Sequence, residues 1–197
     1  MSLFVKICGL TDAIAAETAV AAGVQAVGFV FAASPRRVSS KQAREIASVV
    51  PEGVLRVAVF RRPTLADVMT VVEEFEPDAI QADHDVLADV RGVELLPVYR
   101  EGVGGLPSGG RFLFEGPASG VGSGVSLDEA ARVARLGEMI LAGGLNPNNV
   151  GEAVRTVRPA GVDVSSGVES SLGVKSPELI ESFVAAARAA EERLVSK

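Results

Sequence analysis

The feature that most narrows the possible folds is a rhythm: short β-rich runs alternate with alanine-rich stretches of helical period along the whole chain. The runs are LFVKIC (3–8), QAVGFVF (25–31), LRVAVF (55–60), AIQ (79–81), VELLPVY (93–99), RFLF (111–114), MILAGG (139–144) and GVDVSSG (161–167). Between them, Thr11 is placed to cap a helix through AIAAETAVAAG, closed by Gly23. Ser39 and Gln42 have capping-box spacing, with Ala43, Ile46, Ala47 and Val50 on one helical face. Further helices are expected from about Thr64 to Phe75, from near Pro147 through VGEAVRTV, and from Ser176 with Pro177 in the first turn. Such alternation predicts a parallel sheet with helices outside it. Eight units in 197 residues leaves about 25 residues each, compact for an α/β protein built as a single (β/α)8 TIM barrel, which usually takes about 250.

The glycine-rich stretch EGVGGLPSGGRFLFEGPASGVGSGVS has hardly room for a helix between the fifth and sixth strands. That helix is expected to be missing or reduced to a turn. The same glycines could mark a linker, but neither half alone would close a sheet, so residues 1–197 are read as one barrel domain.

Charge and cysteine content exclude several classes. A net charge of −6 argues against a nucleic-acid partner while leaving room for a locally basic pocket. Lys6 interrupts the first apolar run, and no run reaches the roughly 18 residues of a membrane span. No signal-peptide pattern is present. The lone Cys8 rules out an internal disulfide and suits a reducing cytoplasm.

Active sites of such barrels are built at the C-terminal ends of the strands. The rhythm puts Cys8, the 32–37 loop, Phe60–Arg61, Gln81–His84, Glu115, Gly143–Gly144 and Ser165–Ser166 there. AGGLNPNN (142–149) sets two glycines before a helix start, where backbone N–H groups can converge on an anion. DVSSGVE (163–169) adds two hydroxyls, and VGSG (121–124) a further glycine–serine turn. Each alone reads as a plain turn; together, in this order, they favour a phosphorylated ligand. In SPRR (34–37), a guanidinium could grip a carboxylate in bidentate fashion, or both arginines could be solvated loop charges. A thiol at a strand end can take a proton once a nearby positive charge lowers its pKa. Glu115 could give one if burial raises its own. As bare residues both read as structural or solvent-exposed rather than catalytic. Cysteine and histidine are too few for a transition-metal site.

The segments VKICGLT, GFVFAASPRRVS, VAVF, LAGGLNPNNV and VDVSSGVESSLGVKS, in this order over residues 5–176, resemble phosphoribosylanthranilate isomerase of tryptophan biosynthesis. The resemblance implies a (β/α)8 barrel and an Amadori rearrangement, without cofactor, of a small phosphoribosyl substrate. It implies Cys8 as base and Arg36 as the clamp on the substrate carboxylate. The phosphate would be held by Gly143, Gly144, Ser165 and Ser166, with Gly122 and Gly124 in the loop before the sixth helix. The family acid is an aspartate ending the sixth strand. Here that role falls on Glu115, with Asp83 and Asp163 as substitutes. Gln81, Asp83 and Asp163 are expected to line the site. QADH stands where the family has Q-L-H-G, the usual lysine near the end of strand five is absent, and the VGSG loop carries a valine in place of a glycine. The resemblance permits a monomer or a homodimer. Two other readings remain: a non-catalytic phosphosugar-binding barrel, and a histidine-pathway sugar isomerase, which relies on paired aspartates.

Overall fold

The computed structural model describes residues 2–117 and 124–195. Eight parallel strands, each hydrogen-bonded to the next, close into a barrel: β1 (Phe4–Cys8), β2 (Ala26–Val30), β3 (Leu55–Val59), β4 (Ala79–Asp83), β5 (Glu94–Arg100), β6 (Arg111–Glu115), β7 (Glu138–Leu141) and β8 (Gly161–Val164). Among the described residues, six α-helices surround it: α1 (Ala13–Ala21), α2 (Ser40–Ala47), α3 (Leu65–Phe75), α4 (Leu127–Val133), α5 (Val150–Val157) and α6 (Pro177–Val195). A short antiparallel hairpin, β9 (Glu169–Ser171) and β10 (Val174–Lys175), sits between β8 and α6.

No helix forms over residues 101–110, as the glycines foretell, but the segment after β4 also lacks an α-helix. Only a 3₁₀ turn, His84–Val86, stands there. Leu87 and Val90 of this segment are buried, and the His84 ring stacks on Tyr99 with centroids 4.3 Å apart. A turn and one stacked ring thus cover what a helix would. No helix among the described residues is long and apolar enough to cross a membrane.

The caps explain where the helices start. Asp12, not Thr11, caps α1 by accepting from the Ala15 N–H, while the Thr11 hydroxyl donates to the Gly173 carbonyl and ties the hairpin to the first loop. Capping boxes at Ser39/Gln42 and Thr64/Asp67 open α2 and α3. The Ser176 hydroxyl accepts from the Leu179 N–H at the head of α6.

A strand shows alternate residues to opposite faces, and this period divides the core. Val5, Ile7, Phe29, Ile80, Phe112, Phe114, Met139, Leu141, Val162 and Val164 pack with the helices in one large cluster. Two smaller clusters, one with Ala26, Val57, Val59 and Ala79 and the other with Leu96, Val98, Leu113 and Ile140, fill the barrel interior. The interior parity carries Lys6 and Cys8 on β1, Gln81 and Asp83 on β4, Arg100 on β5, Glu115 on β6, and Asp163 on β8. Polar chemistry therefore collects inside, towards the C-terminal rim.

Candidate active site

Cys8 and Lys6 lie two residues apart on the inward face of β1. Lys6 is fully buried and places Nζ 2.8 Å from Asp163 Oδ1, its register partner on β8. The neighbouring β2 position is Gly28, register partner of Cys8. A methyl group on Gly28 would stand 3.0 Å from Cys8 Sγ and 3.2 Å from Lys6 Nζ, so the glycine makes room for thiol and ammonium side by side. Burial, the largest influence, pushes the Cys8 thiol above its ordinary value; Lys6 and Lys175 pull it down and Asp163 pushes it up. The resting group is a thiol with its countercharge already in place.

Around it lies a second ion cluster. Arg36, in the segment after β2, donates from Nε and Nη2 to the two oxygens of Glu169 at 2.6 and 2.9 Å. Lys175 donates to Glu169 Oε1 at 2.8 Å and to the Ser165 carbonyl at 3.0 Å, and the Gly173 N–H reaches Oε2 at 3.1 Å. The bidentate edge of Arg36, which the sequence offers to a substrate carboxylate, is thus taken by Glu169. The third nitrogen, Nη1, makes no hydrogen bond among the described residues. Burial works to raise the Glu169 carboxyl, but Arg36, Lys175 and the Gly173 N–H outweigh it and hold it at about 2. A carboxyl lowered on folding contributes stability above its unfolded value, near 4.5, and loses it as pH falls through the folded one. In urea melts across that window, Glu169→Gln should show a shallower loss of stability than the wild type. Parallel curves would remove Glu169 from the acid transition.

At the ends of β4 to β6, Arg100 lies between two carboxylates: Nη1 is 2.6 Å from Asp83 Oδ1 and Nη2 is 2.9 Å from Glu115 Oε1. Gln81 is buried, and its Oε1 accepts no hydrogen bond among the described residues. Gln81, Asp83, Glu115, Asp163 and Cys8 therefore all belong to the barrel interior.

The expected phosphate residues are less uniformly gathered. Gly143 and Gly144 both have positive φ, at 89° and 67°, and their N–H groups make no backbone hydrogen bond among the described residues. They do not lie at a helix start: α5 begins at Val150, after an Asn146–Asn149 turn in which Asn149 accepts from the Asn146 N–H and donates to the Gly144 carbonyl. Ser165 and Ser166 enter the 3₁₀ turn Ser166–Val168. A methyl group on Gly167 would come 1.9 Å from the Leu145 carbonyl oxygen, so this glycine lets the segments after β7 and β8 touch. Gly124 lies exposed two residues before Ser126, the cap of α4, with nothing within 4 Å of where its Cβ would be. Gly122 lies outside the described residues. At the same end, a cavity of about 880 Å³ opens between the segments after β2 and β3, lined by Phe31, Phe60 and three arginines, Arg37, Arg61 and Arg62.

This arrangement can be set beside known proteins. The family model for N-(5'-phosphoribosyl)anthranilate (PRA) isomerase matches residues 5–95 and 109–186. The N-(5'-phosphoribosyl)anthranilate isomerase of Bordetella petrii is 38% identical over 218 residues, covering 96% of this chain and 97% of its own. The chain belongs to the phosphoribosylanthranilate isomerase family. The crystal structure of the Thermus thermophilus isomerase superposes with a TM-score of 0.86 at 30% identity, over 95% of this chain and 99% of that one. A phosphoribosyl anthranilate isomerase in complex with reduced 1-(o-carboxyphenylamino)-1-deoxyribulose 5-phosphate gives 0.75 at 28% identity, with 95% and 99% covered.

For this isomerase, sequence reasoning missed four charged residues of the site. Lys6 shares the strand face of Cys8, a signal present in the spacing. Arg100 ends β5 one residue beyond the expected boundary. Glu169 and Lys175 stand in the quoted motif, but only the hairpin brings both to Arg36.

Proposed function

We propose that this isomerase rearranges N-(5'-phosphoribosyl)anthranilate to 1-(2-carboxyphenylamino)-1-deoxyribulose 5-phosphate with Cys8 as general base and Glu115 as general acid. The observation that carries the reading is that a thiol beside a buried ammonium and a carboxyl beside a guanidinium both face the barrel interior, from β1 and β6. Glu115 protonates the furanose ring oxygen, the C1–O bond breaks, and the anilino nitrogen lends its pair to form an iminium. The Cys8 thiolate removes the C2 proton, and the electrons flow into the iminium to give an enolamine. That species gains a proton at C1 and loses the one on the C2 hydroxyl, so both groups finish as they began. Lys6 stabilises the thiolate form and Arg100 the carboxylate form of their respective partners.

Arg36 Nη1 is the donor left for the anthranilate carboxylate, its guanidinium held still by Glu169. The N–H groups of Gly143 and Gly144, which make no backbone hydrogen bond among the described residues, and the hydroxyls of Ser165 and Ser166 suit the phosphate. The substrate nitrogen is its own electron sink, so the reaction calls for no cofactor. A working free thiol suits the reducing cytoplasm. The fluorescence of phosphoribosylanthranilate gives the assay. Wild-type enzyme should consume it, and Glu115→Ala should lose at least about 100-fold in kcat, the low end of what a general acid supplies. Full activity in that variant would move the acid to Asp163 or Asp83.

A further inference from the structure

Glu115 is part of a chain of charges. Arg100 is its register partner across β5 and β6 and is only 12% exposed, against 14% for Glu115 and 9% for Asp83. Nη1 donates a hydrogen bond to Asp83 Oδ1, Nη2 meets Glu115 Oε1 as an ion contact at 2.9 Å, and the buried Nε makes no hydrogen bond among the described residues. Asp83 is approached from its other side by Arg62 at 3.5 Å, and Arg62 itself is fixed on Asp85 at 2.9 and 3.2 Å. The order Asp85–Arg62–Asp83–Arg100–Glu115 therefore runs along the rim from β3 to β6. A guanidinium that gives up a hydrogen bond at Nε to span two acids is placed for the acids rather than for itself.

A glutamate has three side-chain torsions, and each leaves the carboxyl free to swing unless something opposes it. The guanidinium of Arg100, anchored by its hydrogen bond to Asp83, sets a fixed charge against that swing. We propose that Arg100 is the positioning residue for Glu115: it fixes the carboxyl at one point of the barrel interior and stabilises the carboxylate left after proton transfer. The proposal rests on Glu115 being the acid. Arg100 acts through Glu115, so its loss matters only while Glu115 is there.

Steady-state kinetics and thermal melts of Arg100→Met, Arg100→Lys, Asp83→Asn, Glu115→Ala and the double variant Arg100→Met/Glu115→Ala test this. Arg100→Met should lower kcat roughly 10- to 100-fold, the scale of a misplacement near 1 Å, with KM changed less than about twofold. Arg100→Lys keeps the charge without the fork and should recover part of the loss. Asp83→Asn should lower kcat by a smaller factor. In the Glu115→Ala background, Arg100→Met should change kcat no further. Equal losses from Arg100→Met in both backgrounds, or an unchanged kcat in folded variants, would overturn the proposal. Should Arg100→Met fail to fold, Arg100→Lys and Asp83→Asn carry the same comparison. Full activity in Glu115→Ala alone would sink the acid assignment, a result distinct from an active Arg100→Met beside an inactive Glu115→Ala.

Discussion

Replacing Cys8 by serine is expected to lower kcat about 10³- to 10⁴-fold, the upper part of the range for a general base, while the barrel stays folded. The two side chains have nearly the same shape, and the space over Gly28 that admits a sulfur admits an oxygen. What changes is acidity. Burial and Asp163 together raise the thiol, and Lys6 with Lys175 recovers only part of that rise; a hydroxyl in the same place starts far less acidic and yields almost no alkoxide. The loss should therefore fall on kcat, because Arg36 and the segments after β7 and β8 are untouched. The wild-type kcat/KM should rise with pH beyond the range of an ordinary thiol, and the serine variant should lack that limb. Turnover by Cys8→Ser within tenfold of wild type, with an unchanged melt, would pass the base role to Asp163, the carboxylate paired with Lys6.

The barrel was legible because strands buried on both faces must read as short apolar runs separated by amphipathic stretches. The missing helix after β4 was not, since HDVLADV holds Leu87 and Val90 at a spacing that a helix would also use. In its place stands a 3₁₀ turn whose His84 ring stacks on Tyr99 of β5, a contact that the local pattern does not reveal. Thr11 and Asp12 can both cap, and only the distant Gly173 carbonyl settles which does. The same logic divides the site. Cys8 and Glu115 are visible because each ends a strand. Arg36 is visible as a residue, but not its bond to Glu169, 133 positions later in the chain. Lys6 could have been found: in FVKIC the two-residue period puts it beside Cys8, and a lysine inside a barrel strand needs a reason to be there.

That reason predicts the largest effect on stability. Lys6→Met should destabilise the protein by about 3–5 kcal/mol, the cost of leaving one member of a buried pair without its partner, seen as a fall in Tm on the order of 10 °C. Lys6→Met/Asp163→Asn should regain most of this, because no buried charge is then orphaned. The thiol responds differently. Among the charges around Cys8, Lys6 lowers its pKa more than Asp163 raises it, with Lys175 adding to the lowering. At a fixed neutral pH, alkylation by iodoacetamide should therefore be slowest in Lys6→Met, intermediate in the double variant and fastest in the wild type. Stability and thiol reactivity then separate: a double variant that melts like the wild type yet alkylates more slowly assigns Lys6 to the thiolate. One that matches the wild type in both would make the Lys6–Asp163 pair a means of filling the barrel and nothing more.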